Sequence, residues 1–264
     1  MGSAAHELDD LRQAADRVVF QAVSDLVVTS ADSPVSGSKS ARLIVVGPGQ
    51  PGEYDAAGPV SFASFGRDVE VPALVEGKQS DRELPTPLMV ARYLASREVA
   101  AHPEHVELWA SARWITTSGA DAPALGDQLR EDGTWVALIL VADGAACHGP
   151  KAPQAQDARA QAYDDGVCSA LASGRPARLG QLDANLGDEL GATGPQVWPV
   201  LIAAAAGDAL GSAGSAASAG SAGSAGSAGS LGLAGSTAWD GEVLWAGSPY
   251  GVGWSVASWR RPRE

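Results

Sequence analysis

The segment Asp143–Pro153 contains the densest group of reactive side chains in the sequence. Asp143, Cys147, His148 and Lys151 bring a carboxylate, a thiol, an imidazole and an ammonium group within nine residues. Imidazole can act as a general acid or base near neutral pH, so His148 is the candidate catalytic residue, with Asp143 and Lys151 as orienting groups. Cys147 is a weaker candidate nucleophile, because adjacent side chains seldom engage each other as nucleophile and base. A polar loop that merely contains a histidine is the alternative.

Two further patterns invite a functional interpretation. Gly47–Gly52 fits G-x-G-x-x-G after an apolar run, but the dinucleotide fingerprint needs a helix to begin at its last glycine. Two prolines interrupt this loop and no helical pattern follows it, so we do not predict dinucleotide binding. His102 and His105 have the i, i+3 spacing of a helical metal site, but Pro103 between them favours an extended chain. We therefore expect two exposed histidines in a loop.

The hydrophobic pattern indicates the elements that must position these residues. Short apolar runs predict a central, two-sided buried strand at Leu43–Val46 and the strongest strand at Trp135–Ala142, directly before Asp143. Further strands are predicted at Val69–Val71, within Val106–Thr116, and as a closing pair in the same sheet at Glu242–Ala246 and Gly251–Ser258. Helical spacing predicts helices over 4–29, 86–100, 155–173, 176–191 and 195–210.

The expected fold is α/β: a three-layer sandwich with a mainly parallel or mixed central sheet flanked by helices. In such sheets, ligands bind beyond the carboxyl ends of the strands. The loop that contains Asp143 and His148 follows the strongest predicted strand. We therefore expect a ligand site there.

Composition restricts the functional classes. The chain has 264 residues, of which 18 are basic and 31 acidic, for a formal charge of −13. This charge repels phosphate, so neither nucleic acid nor an anionic membrane surface is an expected partner. A hydrophobic content of 45% suits a folded protein, and no apolar run is long enough to predict a membrane span. Two cysteines and the lack of a signal-peptide pattern make the cytoplasm the expected location.

A three-residue repeat of Ser, Ala and Gly fills residues 212–230. It lacks the proline of collagen and any large apolar side chain, so it can neither form a triple helix nor bury a core. We predict a disordered insertion within a single domain that spans 1–264. A flexible linker between two domains is the alternative.

Several short motifs occur in a characteristic order. They are Phe62–Gly66, Asp143-Gly144, Lys151-Ala-Pro153, Ala162-Tyr-Asp164, and the C-terminal Gly241–Trp254 with its Pro-Tyr-Gly-Val-Gly run. In order and spacing the chain resembles the class III extradiol ring-cleavage dioxygenases, in the family of their B-type subunits, above all its short actinobacterial members. The likeness covers most of the chain except 212–230. It implies a mixed sheet flanked by helices, and a chemistry in which non-haem Fe(II) activates O₂ to cleave an aromatic diol.

The resemblance also implies a metal site of two histidines and one carboxylate, with a further histidine as the acid–base residue. By this comparison His148 takes the acid–base position, and Glu242 is the nearest carboxylate to the expected ligand position. No histidine follows the Leu43–Val46 strand. The chain also begins in a helix, where the family has a strand followed by its first metal histidine. We therefore expect an incomplete triad for Fe(II).

Three functions stay open at this point. The first is an oxidoreductase of the extradiol dioxygenase type, with Fe(II) as its cofactor. The second is a metal-free binding or scaffold protein that holds a small aromatic ligand. The third is a polypeptide whose site needs another copy of the chain or a different partner chain for completion.

Overall fold

The computed structural model describes residues 2–31, 41–79, 82–132, 136–206 and 239–261. The helices in these ranges are α1 (Gly2–Ala31), α2 (Thr86–Ala101), α3 (Val106–Ala110), α4 (Ala122–Glu131), α5 (Ala160–Ala172), α6 (Pro176–Leu179), α7 (Ala184–Glu189) and α8 (Trp198–Ala205). The strands are β1 (Arg42–Pro48), β2 (Gly52–Tyr54), β3 (Val60–Ser61), β4 (Glu70–Val71), β5 (Arg113–Thr117), β6 (Val136–Leu140), β7 (Asp240–Gly247) and β8 (Trp254–Arg260). The predicted insertion at 212–230 lies outside the described residues.

Four strands form the central sheet, in the order β2-β5-β1-β6. β1 pairs in parallel with β5 and β6, whereas β2 is antiparallel to β5, so the predicted mixed sheet is confirmed. Residues 43–48 of β1 are all buried, as expected of a strand with neighbours on both sides. β6, the strongest strand in the sequence, lies at the edge of the sheet.

Helices cover both faces of this sheet. Leu43 and Val45 point into a core that contains buried residues of α1 and α2. Ile44 and Val46 alternate with them and point into a second core, which includes Val200 and buried residues of α4. This period of two along β1 creates the three layers of the predicted sandwich.

The C-terminal strands correct one prediction. β7 and β8 pair with each other in a separate antiparallel sheet and do not join the central one. This hairpin is fastened to α5, where the Trp259 Nε1–H donates to the Leu171 carbonyl at 2.6 Å. Just beyond α5, Trp239 N–H donates to the Gly174 carbonyl at 2.9 Å. The reason for the difference is that half-buried strands can pack on a helix face as well as on a sheet edge.

Other local predictions hold in part. The short strand expected at Val69–Val71 is present as β4, and the strand within Val106–Thr116 is preceded by α3. The helix predicted over 176–191 divides into α6 and α7, and α4 has no counterpart among the predicted helices. The loop after β1 leads into β2 and not into a helix, so Gly47–Gly52 lacks the helix start that a dinucleotide fingerprint needs. Within the described ranges, no helix combines the length and the apolar character needed to cross a membrane.

The prediction of two exposed loop histidines is wrong for His105, which is 8% exposed. Pro103 begins a one-turn 3-10 helix, a position that proline favours, and this turn continues directly into α3. The turn carries His105 inward to a buried carboxylate on α2, Glu98, at 2.5 Å from its Nδ1. His102 keeps partial exposure.

Candidate functional site

The candidate site is built on the loop that follows β6, at the carboxyl end of the parallel strands. Asp143 fixes the start of this loop through its main chain. Its N–H donates to Thr193 Oγ1 at 2.8 Å, and its carbonyl accepts from Thr193 N–H at 2.9 Å. Ligands in α/β sheets bind at this edge, so the predicted location of the loop is confirmed.

The C-terminal motif 249–253 lies against the same loop. Gly144 N–H donates to the Gly253 carbonyl at 2.8 Å, and Gly253 N–H donates to the Ala145 carbonyl at 2.7 Å. His148 N–H donates to the Gly251 carbonyl at 2.9 Å. Two motifs that are about a hundred residues apart in sequence therefore form one backbone-paired unit.

His148 and Asp164 form the central side-chain pair of this unit. The His148 Nε2–H donates to Asp164 Oδ2 at 2.6 Å, and the two side chains are only 9% and 16% exposed. Asp164 projects from α5, and its second oxygen, Oδ1, accepts from Ala145 N–H at 3.1 Å. This arrangement leaves Nδ1 of His148 without a hydrogen bond among the described residues. A carboxylate on one imidazole nitrogen orients the ring and favours its protonated form.

Two glycines make room for the Asp164 carboxylate. A Cβ atom at Gly253 would lie 1.7 Å from Asp164 Oδ2, and one at Gly144 would lie 2.7 Å from Asp164 Oδ1. Real Cβ atoms do not approach oxygen so closely, so only glycine is compatible with the pair as it stands. The glycines of the two motifs are therefore explained by the carboxylate between them.

Tyr250 has an unusual backbone conformation within the C-terminal turn. Its φ is 58° and its ψ is 18°, the left-handed region that glycine or asparagine usually occupies, and the residue is 64% exposed. A non-glycine residue in this region costs of order 1 kcal/mol. Strain of this kind concentrates at functional sites, and here it occurs next to the Gly251 carbonyl that holds His148.

Tyr163 and Cys147 lie in the core beneath the pair. Both are buried, together with Val167 and Leu190. Burial raises the pKa of the Tyr163 hydroxyl to about 12, and this hydroxyl has no hydrogen-bond partner among the described residues. Burial also raises the pKa of the Cys147 thiol, which donates weakly to the Leu190 carbonyl. A neutral, buried thiol is unsuited to nucleophilic attack.

The other candidate residues have looser positions. Asp143 is solvent-exposed, although the surrounding protein still raises the pKa of its carboxyl group by desolvation. Lys151 is exposed as well. Neither side chain hydrogen-bonds to His148 in the described structure, and their orienting role stays a prediction. Asp164 is the partner that sequence reasoning missed, although it lies within the motif Ala162-Tyr-Asp164.

Fe(II) does not fit the donor set of the described residues. Glu242, the candidate metal ligand, is exposed on β7 opposite Ser258. Across the part of the chain that the structure describes, no three side chains of His, Cys, Asp or Glu come together in a way that could hold a metal ion. His148 and Asp164 bind each other and offer at most two donors, whereas a facial triad needs three.

The chain was compared with protein-family models and with curated proteins. No family model matches it, and no curated protein matches it. The resemblance to extradiol dioxygenases therefore rests on the motifs alone and stays a prediction.

Proposed function

We propose that this protein is a divergent extradiol dioxygenase-like protein that binds a small aromatic diol beside His148 and exchanges a proton with one hydroxyl of this ligand. The hydrogen bond between His148 and Asp164 carries the proposal. A buried carboxylate on Nε2 sets the tautomer and stabilises the imidazolium, so Nδ1 is the atom that takes up and returns the proton. This step involves only the ligand and residues of this chain.

The surroundings of the pair support an acid–base role. The loop lies at the carboxyl end of the sheet, its backbone is paired with the C-terminal turn, and the strained Tyr250 lies beside it. Such preorganisation holds a catalytic group in one geometry before the ligand arrives. A cytoplasmic location is part of this proposal.

A binding role without chemistry is the second candidate. His148 is only 9% exposed, so the pair could serve mainly to fasten the loop to α5 and to the C-terminal turn. In that case the ligand contacts the loop and no proton is exchanged. The two candidates differ in what happens when His148 is replaced while the fold is kept.

The test uses the full chain purified without oxygen, with its iron content measured. Catechol binding is followed by calorimetry in two buffers of different ionisation enthalpy, which reveals proton uptake or release. We expect binding coupled to proton exchange, with the exchange lost in His148→Gln and Asp164→Asn. Asp165→Asn is the matched control, because Asp165 is the exposed neighbour on α5 and accepts a hydrogen bond from Gln161, away from the pair.

Each outcome has a clear meaning. Binding without proton exchange, unchanged in His148→Gln, refutes the acid–base role and leaves the binding role. Stoichiometric iron together with oxygen uptake on catechol would restore the iron-dependent dioxygenase and contradict the proposal. No binding of catechol in any form refutes both candidate functions.

A further inference from the structure

A second cavity lies between α1 and α2, away from the His148 loop. Its volume is about 480 Å³, which is within the range of small-molecule sites. Its lining comes from two turns of α1 and from the C-terminal end of α2: Asp16, Arg17, Phe20, Arg97, Glu98, Ala100, Ala101 and His102. The cavity includes the histidine segment that the sequence singled out and that the proposed function does not use.

Three aromatic rings are stacked along one side of this cavity. Phe20 stacks on His102 with ring centroids 4.4 Å apart, and His102 stacks on His105 at 5.5 Å. His102 thus lies between the other two rings. Phe20, at the outer end, is 39% exposed although it is a large apolar residue. A flat, exposed phenyl ring at the mouth of a cavity favours a flat ligand.

The inner end of the stack is rigidly held. The Glu98 side chain is 1% exposed, and both of its oxygens are used. Oε1 accepts from His105 Nδ1–H at 2.5 Å, and Oε2 accepts from Trp109 Nε1–H at 2.8 Å. This carboxylate therefore has no capacity left for a ligand, and its charge is shared with two donors.

The remaining charges of the cavity leave one cation in excess. Arg97 is neutralised by Asp16 through a bidentate ion pair, with Nε–Oδ1 at 2.9 Å. Arg17 is exposed and forms no ion pair or hydrogen bond with the described residues. In a chain with a net charge of −13, an unpaired guanidinium beside an exposed phenyl ring is a local exception.

We propose that this cavity binds a small planar aromatic carboxylate. The ring of the ligand stacks on Phe20 and extends the aromatic column, while its carboxylate pairs with Arg17. A neutral ring would lose the ion pair, and a non-planar anion would lose the stacking. The site is independent of His148 and of the proposed function.

The probe is benzoate, with benzamide as its neutral counterpart. Binding is followed by the ring resonances of the histidines, of which the chain has four, and His102→Gln identifies the signal of His102. We expect benzoate to shift the His102 signal saturably and to leave the His148 signal unchanged, with benzamide at least about threefold weaker. Arg17→Gln should weaken benzoate binding about two- to fivefold, as for an exposed ion pair.

Phe20→Leu tests the stacking, and a loss of about three- to tenfold in affinity is expected. Arg12→Gln is the matched control, because Arg12 lies on the same helix, outside the cavity, and is paired with Asp9. Thermal unfolding of each variant establishes that the fold is kept.

Three results would overturn the inference. The first is the absence of a saturable shift at His102 up to tens of millimolar benzoate. The second is equal binding of benzamide, or an Arg12→Gln effect as large as that of Arg17→Gln. The third is a benzoate shift at His148 in place of His102.

Discussion

Replacing Gly253 by alanine tests whether the C-terminal turn exists to accommodate the Asp164 carboxylate. The three protein atoms nearest to the added Cβ all belong to Asp164, at 1.7, 2.6 and 3.2 Å. The methyl group therefore cannot coexist with the carboxylate in its present position. Either Asp164 must turn away or the turn must separate from the loop.

The expected loss follows from the hydrogen bonds that Asp164 makes. Its carboxylate accepts from His148 and from Ala145 N–H, and hydrogen bonds to charged groups are worth about 1.5–3 kcal/mol each. Because a displaced carboxylate regains water, we expect Gly253→Ala to lower the free energy of unfolding by about 2–4 kcal/mol. For a chain of this size the midpoint of thermal unfolding should fall by on the order of 10 °C.

The assay is urea unfolding of a double-mutant cycle with Asp164→Ala. When the carboxylate is absent, the added methyl group has no Asp164 oxygen or Cγ to meet, so Gly253→Ala should cost less than about 0.5 kcal/mol in that background. Gly166→Ala on α5 is the control, because its Cβ would meet only Leu182 at an ordinary 3.5 Å. That change should be neutral or slightly stabilising, since alanine favours a helix. An equal cost of Gly253→Ala in both backgrounds would refute the reasoning.

Three further predictions concern single side chains. Tyr163→Phe should stabilise the protein by about 1 kcal/mol at neutral pH, because its buried hydroxyl lacks a partner among the described residues. It should also remove a loss of stability between about pH 10 and 12, where the tyrosine ionises in the unfolded chain but stays neutral in the fold (pKa about 12); urea unfolding at pH 7 and 11 checks both, and a pH-independent difference would contradict the second. Glu98→Gln should destabilise by about 2–4 kcal/mol, because the amide turns a donor toward His105 or Trp109; chemical denaturation measures this, and a loss no larger than that of the exposed Glu107→Gln would count against it. Glu242→Gln should leave the iron content by elemental analysis unchanged, and a clear fall would reinstate Glu242 as a ligand.

Much of the fold could be predicted because the apolar runs of β1 and β6 are unambiguous. Their burial on two faces, and the punctuation after β6, follow directly from residue type. The hairpin of β7 and β8 could not be assigned to its own sheet, since the pattern of a half-buried strand does not tell what it packs against. α4 was missed because Pro123 and Gly126 weaken its helical pattern.

The candidate site was predictable only as a loop with a histidine. The choice of partner for His148 depends on tertiary packing, which brings α5 and the turn 249–253 to the loop. The signal that could have found Asp164 was the pair of glycines, Gly144 and Gly253, which need a reason to lack side chains. His105 was misplaced for a related reason, since its buried partner Glu98 lies on the preceding helix.

The histidine ring resonances of the iron-free protein test the central claim most directly. With catechol added under anaerobic conditions, we expect a saturable shift of the His148 signals and a changed apparent pKa of that ring. Both effects should disappear in Asp164→Asn and persist in Asp165→Asn. A His148 signal that does not respond to catechol, or that responds only after stoichiometric Fe(II) is added, would contradict the account.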